Sequence, residues 1–151
     1  LIPADRMLVM NRLRWANEIR SLSEPTLPEA GAGDLRANEI AMAERLVDGA
    51  KVANLSSVLG SIESVEGFNT PSYAISKAAQ NMATTLLAVA LRERSIALVA
   101  LHPGWVRTEM GGGGAQIDVA ESVRGLLKVI DALTLADSGR FIDYRGKRVP
   151  W

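Results

Sequence analysis

The stretch that most restricts the fold is "SIALVALHPG", residues 95 to 104. Its apolar residues follow one another almost without interruption, and a Pro-Gly pair closes the run. A strand with one solvated face alternates apolar and polar residues, whereas a strand of a parallel sheet is covered on both faces and is apolar throughout. The run therefore predicts a buried parallel strand that ends in a turn at Pro103 and Gly104.

Other predicted strands alternate with predicted helices along the chain. We predict strands in "DRMLVMN" (5 to 11), "AKVANLSS" (50 to 57) and "GRFIDYRG" near the end, and helices in "DLRANEIAMAERLV" and from Ser72 to about Arg94. A further helix follows Asp118, which with Glu121 resembles a capping box. Its apolar stripe consists of Val119, Val123, Leu126, Leu127, Ile130 and Leu133. This alternation predicts an α/β protein with a parallel sheet and crossover helices.

The composition bounds the classes of protein to consider. With 151 residues, 48% of them hydrophobic, the chain is long enough for one domain, which we place at 1–151. The 17 basic and 17 acidic side chains balance, so nothing favours nucleic acid or an anionic membrane as a partner. Lack of cysteine excludes disulfides and thiolate metal sites, and no metal site is expected. Without an 18-residue apolar run or a signal peptide, we expect a soluble, cytoplasmic protein.

"SYAISK", residues 72 to 77, places Tyr73 and Lys77 four residues apart in the predicted helix, so both lie on one face. The pair could simply be part of a surface helix. A free phenol has a pKa near 10, however, and a nearby ammonium favours the phenolate, as a general acid/base requires. Ser57 ends a predicted strand, where parallel sheets place ligand-binding groups. Its hydroxyl could bind a carbonyl oxygen that Tyr73 protonates.

The order "NLSS", "SYAISK" and "HPGWVRTEM" resembles the short-chain dehydrogenase/reductase family, whose active site contains Ser, Tyr, Lys and Asn. "LHPGWVRTEMGG" and "SGRFIDYRGKRVPW" are similar to its C-factor-like and carbonyl-reductase branch. The resemblance covers residues 50 to 151 well and residues 5 to 49 loosely. It implies a Rossmann-type parallel sheet with flanking helices and an NAD(P)-dependent oxidoreductase acting on a small carbonyl or alcohol.

By resemblance, Tyr73 is the general acid, and Lys77 lowers its pKa and holds the nicotinamide ribose. Ser57, rather than Ser56, orients the carbonyl oxygen. Asn38 resembles the asparagine that supports a proton-relay water near the lysine.

The resemblance also assigns cofactor-binding residues after the buried strand. Pro103 and Gly104 form the turn, and the Val106 backbone and Thr108 hydroxyl hold the nicotinamide carboxamide. The Gly111–Gly114 run belongs to the loop over the substrate, and we expect it to be mobile without ligand. In this family the helix that carries Tyr73 and Lys77 commonly pairs between subunits, which implies a homodimer.

The Gly-rich turn that receives the cofactor pyrophosphate in this family is not evident. "AGAGD" contains Gly31 and Gly33 but no strand precedes it. The chain, which begins with Leu1, therefore resembles the second half of such an enzyme, with the N-terminal strands either omitted from the sequence or truly absent. The choice between NAD and NADP is not readable, because the residue that makes it lies in that first half.

Two other functions stay open. The chain could be a catalytically inactive remnant that acts as a binding or signalling module. A hydrolase that uses Ser57 with Tyr73 as base has less support, since no G-x-S-x-G or S-x-x-K motif is present. His102 has no triad-like partner in the sequence, and we expect a structural role for it.

Overall fold

A computed structural model of the chain describes residues 7–10 and 45–151. Four strands of these residues form one parallel sheet in the order β1-β2-β3-β4. The strands are β1 (Met7–Met10), β2 (Lys51–Leu55), β3 (Ala97–His102) and β4 (Phe141–Asp143). Each predicted strand is confirmed, with its ends a few residues inside the predicted range. Asn38, Asp34 and the glycines of "AGAGD" lie outside the described residues.

The register brings the ends of two strands to one edge of the sheet. Leu55 pairs with Leu101, so β2 and β3 end side by side. The backbone N–H of Ser56 then donates to the Leu101 carbonyl at 2.7 Å, which holds the exit of β2 against β3. The segments that begin at Ser56 and at Pro103 therefore leave the sheet next to each other.

Helix α1 (Pro71–Ala90) covers one face of the sheet and is followed by a 3₁₀ turn at Arg92–Arg94. Proline at its first position suits a helix start, because the missing N–H has no partner there in any helix. Its buried Leu87 and Ala88 pack with Val52 and Leu98 of the sheet. The predicted helix is confirmed, except that its last turn is a 3₁₀ turn.

Helix α2 (Val119–Ala132) covers the other face. The Asp118 carboxylate accepts a hydrogen bond from the Glu121 N–H at 2.6 Å and so begins the helix. Ile130 packs with Val99 and Leu101, whose side chains point away from α1. Both faces of β3 are thus covered by helices, which explains its uninterrupted apolar sequence.

The predicted apolar stripe of α2 is divided. Leu126, Ile130 and Leu133 contribute to the core, whereas Val119, Val123 and Leu127 are 50%, 45% and 45% exposed. Within the described residues, no helix is both long and apolar enough to cross a bilayer.

Candidate active site

Lys77 lies on the side of α1 that faces the end of β2, and only 3% of the residue is exposed. Its ammonium donates to the Leu55 carbonyl at 2.8 Å and to Gln80 Oε1 at 2.8 Å. A buried ammonium requires such acceptors because it has lost most of its hydration. The end of β2 and the second turn of α1 together hold the charge at the edge of the sheet.

Tyr73 stands one helical turn before Lys77, as predicted. The Lys77 ammonium lies 5.9 Å from the centroid of the tyrosine ring. Tyr73 is half-buried, so its side chain borders both solvent and the buried ammonium. The structure therefore brings the two side chains together, with the cation on the inner side and the phenol nearer the surface.

Ser57 begins the 3₁₀ turn Val58–Gly60, and its hydroxyl accepts a hydrogen bond from the Leu59 N–H at 3.2 Å. The Val58 N–H donates to Nδ1 of His102 at 3.3 Å, which ties this turn to the end of β3. A Cβ at Gly60 would lie 2.7 Å from the Cβ of Lys77. Because Gly60 has no side chain, the turn that carries Ser57 can rest directly on α1.

The neighbouring Ser56 has a different environment from Ser57. Ser56 is 3% exposed, and its hydroxyl donates to Oδ1 of the buried Asn81 at 2.6 Å. Asn81 Nδ2 donates in turn to the Gly60 carbonyl at 3.1 Å. Asn81 thus fixes both ends of the segment that holds Ser57, a positioning role that the sequence did not suggest.

A second polar contact joins β2 to α1, between Asn54 and Thr84. Asn54 Nδ2 donates to the Thr84 hydroxyl at 2.9 Å, and that hydroxyl donates to the Gln80 carbonyl at 2.8 Å. Within the part of the chain that the structure describes, Asn54 Oδ1 is a buried oxygen without a hydrogen-bond partner. The part of α1 that faces the end of β2 is therefore polar, whereas its later residues Leu87 and Ala88 pack in the apolar core.

The segment after β3 makes a tight turn at Pro103 and Gly104. Gly104 has φ +84°, and a Cβ there would lie 2.5 Å from Ile117 Cδ1, so the position favours glycine for two reasons. Ser122 of α2 donates its hydroxyl proton to the Pro103 carbonyl at 2.6 Å. Ser122 is 2% exposed and anchors the turn. The sequence did not suggest this role, because a serine in the first turn of a helix is usually exposed.

Thr108 connects this turn to the glycine run. Its Oγ1 accepts from the Gly111 N–H at 3.2 Å, and its carbonyl accepts from the Gly112 N–H at 3.1 Å. The Trp105 indole N–H donates to the Gly111 carbonyl at 2.9 Å, and its ring lies beside Gly114. The predicted mobile loop therefore has several internal hydrogen bonds in this structure. Its mobility stays a prediction.

His102 is held by packing as well as by the bond to Val58. Burial lowers its pKa below the usual 6.5, and the carboxylate of Asp143 opposes part of this shift. Neutral imidazole is also the form whose Nδ1 can accept the Val58 N–H. These contacts agree with the structural role that we expected for His102.

All but one of the predicted site residues lie in the segments that follow β2 and β3 or on α1, which packs against them. These residues are Ser57, Tyr73, Lys77, Pro103, Gly104, Val106 and Thr108. Asn38, the remaining predicted catalytic residue, lies outside the described residues. Among the residues that the structure describes, no group of three or more His, Asp or Glu side chains could hold a metal ion.

Comparison with known proteins gives consistent matches to this part of the chain. The family model described as short chain dehydrogenase matches residues 40–116, a segment that contains Ser57, Tyr73, Lys77 and Thr108. C-signal of Myxococcus xanthus is 45% identical over 121 residues, which cover 79% of this chain and 72% of that protein.

Solved structures give the same architecture. Carbonyl reductase Sniffer of D. melanogaster is 40% identical with a TM-score of 0.66, over 68% of this chain and 41% of that chain. NADPH-bound carbonyl reductase from chicken fatty liver is 44% identical with a TM-score of 0.64, over 68% of this chain and 40% of that chain. The chain thus matches about two fifths of the length of these two structures.

Proposed function

Because the chain belongs to the short-chain dehydrogenase family, we propose that it is an NAD(P)-dependent oxidoreductase with Tyr73 as its general acid/base. The reaction is reduction of a small carbonyl compound or the reverse oxidation of an alcohol. One observation supports this most: the buried Lys77 ammonium lies 5.9 Å from the Tyr73 ring centroid, at the edge where β2 ends.

The residues at this edge fit the nicotinamide end of the cofactor. The ammonium of Lys77 and the hydroxyls of Tyr73 and Thr108 are hydrogen-bonding groups suited to ribose hydroxyls and a carboxamide. Gly104, with its positive φ and its tight contacts, turns the backbone so that Val106 and Thr108 follow directly after the strand. When bound, the nicotinamide supplies or accepts the hydride. NADPH is present in the chicken relative, and this chain leaves NAD and NADP as alternatives.

Each proposed catalytic group has a distinct task. The Ser57 hydroxyl positions the substrate carbonyl oxygen, and Tyr73 Oη donates a proton to that oxygen as it gains negative charge. Lys77 stabilises the phenolate that remains, because an ammonium favours the charged form of a nearby acid. In the oxidation direction the phenolate removes the alcohol proton. Asn38 is proposed to support the relay that returns the proton to Tyr73.

Turnover with both cofactors tests the proposal. The full chain is incubated with NADPH or NADH and a panel of aliphatic and aromatic aldehydes and ketones, and both nicotinamide absorbance and alcohol product are measured. Product formed in equal amount to oxidised cofactor supports the proposal. Absence of turnover across the panel, together with absence of cofactor binding by calorimetry, contradicts it.

The relative named C-signal favours a second candidate, a binding or signalling module without turnover. In that case the buried Lys77 and Ser56–Asn81 contacts serve the fold alone. The Tyr73→Phe variant separates the two functions, because loss of one hydroxyl from a half-buried ring removes proton transfer but preserves the surface of a module.

We also propose a homodimer. Ile75, Met82, Leu86 and Val89 are 62%, 61%, 60% and 72% exposed, and their spacing places them along one side of α1. Such a row of apolar side chains suits contact with the same helix of a second copy.

A further inference from the structure

We propose that Gln80 is a positioning residue for the reaction, a neutral acceptor that fixes the Lys77 ammonium beneath Tyr73 without neutralising its charge. This inference rests on the proposed function. Gln80 is three residues after Lys77 on α1, and only 8% of it is exposed. Its Oε1 accepts from the ammonium at 2.8 Å.

Two acceptors on different elements restrict where the ammonium lies. The Leu55 carbonyl approaches from the end of β2, and the Gln80 amide approaches from α1 itself. A flexible lysine side chain has many rotamers, and each bond to a fixed acceptor restricts the movement of the ammonium relative to the tyrosine ring. With both bonds, the cation is held at the observed 5.9 Å from the ring centroid.

The chemistry of the amide distinguishes it from the alternatives at this position. A carboxylate would bind the ammonium more strongly but would cancel much of its field at Tyr73. An apolar side chain would leave a buried ammonium with one acceptor fewer, which is costly. Only a neutral acceptor satisfies the ammonium and leaves its positive charge available to the phenol.

Gln80 is also held on its backbone side. The Thr84 hydroxyl donates to the Gln80 carbonyl at 2.8 Å and accepts from Asn54 of β2 at 2.9 Å. Thr84 is fully buried. This contact fixes the turn of α1 that carries Gln80 relative to the same strand whose end carries Leu55, so both acceptors of the ammonium share one rigid support.

A phenolate titration tests the proposal without requiring turnover. The chain has two tyrosines, so in a Tyr144→Phe background the phenolate absorbance reports Tyr73 alone. We expect Gln80→Met and Gln80→Glu to move the appearance of phenolate to higher pH, by no more than the roughly 0.5–2 units that complete loss of a unit charge at this distance would give. The kcat for carbonyl reduction should also fall, by no more than the corresponding factor of about 3 to 100, because the rate follows only part of a change in the pKa of the acid.

Leu87→Ala is the matched control, because Leu87 packs on the same helix in the apolar cluster and is 5% exposed. It should lower the unfolding temperature and leave the phenolate titration unchanged. The imidazole of His102, at the end of β3, is a nearby titratable group. Burial lowers its pKa below 6.5, so it is neutral at the pH where the phenolate forms, and it is present in every variant.

The outcomes separate this inference from the proposed function. An unchanged phenolate titration in both Gln80 variants overturns the role of Gln80, whatever their unfolding temperatures. If the titration shifts in the Gln80 variants but the protein with Gln80 intact reduces no carbonyl compound, the positioning of the ammonium is retained and the oxidoreductase reaction is rejected. A shift in Leu87→Ala of the same size as in Gln80→Met also overturns the inference, because helix loosening would then explain both.

Discussion

Gly60 and Lys77 are in direct contact across two elements: a Cβ built at Gly60 lies 2.7 Å from both the Cβ and the carbonyl carbon of Lys77. The turn after β2 and the helix α1 are therefore separated by no side chain at this point. Because Ser57 begins that turn and Lys77 belongs to the proposed acid/base pair, the contact sets their relative position.

Gly60→Ala should consequently damage both folding and activity. An added methyl group this close to backbone forces the turn away from α1, and overpacking of this kind typically costs about 1–3 kcal/mol of unfolding free energy. We expect a lower unfolding temperature and a loss of kcat. Gly67→Ala is the control, since a Cβ at Gly67 would meet only the flexible side chain of Asn69, at 3.2 Å. Equal kcat for the Gly60 variant and wild type would contradict the proposed coupling.

Tyr73→Phe should abolish most carbonyl reduction while the protein stays folded. Only the proton donor is removed, and general acid catalysis is typically worth about 10² to 10⁴-fold in rate. Tyr144→Phe is the comparison, because the Tyr144 hydroxyl makes only a 3.4 Å contact with Glu121. The measurement is kcat at saturating cofactor for both variants. Retention of more than about a tenth of wild-type turnover in Tyr73→Phe would show that another group donates the proton.

The two adjacent serines should respond oppositely to alanine substitution. Ser56→Ala removes a buried 2.6 Å bond to Asn81 and leaves that amide oxygen unsatisfied, so unfolding free energy should fall by about 1–3 kcal/mol. Ser57→Ala should change stability little, since its hydroxyl accepts one partly exposed 3.2 Å bond, and should lower kcat for carbonyl reduction. Chemical denaturation and steady-state kinetics on both variants distinguish the roles, and a reversed pattern would exchange the assignments.

The pH dependence of stability should contain a contribution from His102. Burial lowers the pKa of His102 in the folded protein below 6.5, so the unfolded chain binds the proton more readily. Above the pKa of His102 in the unfolded chain, this contribution does not reduce stability. Stability decreases as the pH falls through 6.5 toward the pKa of His102 in the folded protein. His102→Asn, whose amide oxygen can accept the Val58 N–H, should flatten the decline. The measurement is urea unfolding from pH 7.5 to pH 5, and identical slopes for the two proteins would exclude the effect.

Leu86→Glu should convert the proposed dimer into a monomer. Leu86 is 60% exposed in the middle of the apolar row on α1, and an introduced charge would be buried without a partner in an interface formed by two such rows. Leu135→Glu is the control, because Leu135 is 39% exposed in the 3₁₀ turn before β4. Light scattering at micromolar concentration decides. A monomeric wild-type protein would reject the dimer.

The positions of Tyr73 and Lys77 could be predicted from sequence because they depend on local geometry. A four-residue spacing on a helix places two side chains together whatever the helix packs against. The strands of "AKVANLSS" and "SIALVALHPG" were also predictable, since both are largely apolar segments that are too short for a typical helix and are closed by Ser-Ser or Pro-Gly. Resemblance to the family then favoured Ser57 over Ser56, and the buried bond of the Ser56 hydroxyl to Asn81 supports that proposed choice.

The polar face of α1 could not be predicted in the same way. Gln80, Asn81 and Thr84 occur in a segment that otherwise contains Ala, Leu and Met, and polar residues in such a helix usually face solvent. Their burial follows from contacts with β2 and the turn after it, such as those of Thr84 with Asn54 and of Asn81 with Ser56, which no local pattern encodes. The divided stripe of α2 could not be predicted either, because the helical spacing of Val119, Val123 and Leu127 does not show that they are exposed while Ile130 and Leu133 are buried.

The strand order has a consequence for how the chain is assembled during synthesis. Among the four described strands, β2, β3 and β4 each pair with the strand that precedes them in sequence, so none of these three has to be inserted between two described strands that are already paired. A nascent chain, which emerges from its N-terminal side, can extend this sheet stepwise at one growing edge. The β2–α1 unit, with Ser57, Tyr73 and Lys77, is fully translated before α2 begins at Val119. The proposed residues Ser57, Tyr73 and Lys77 can thus dock before β4 is translated and pairs with β3.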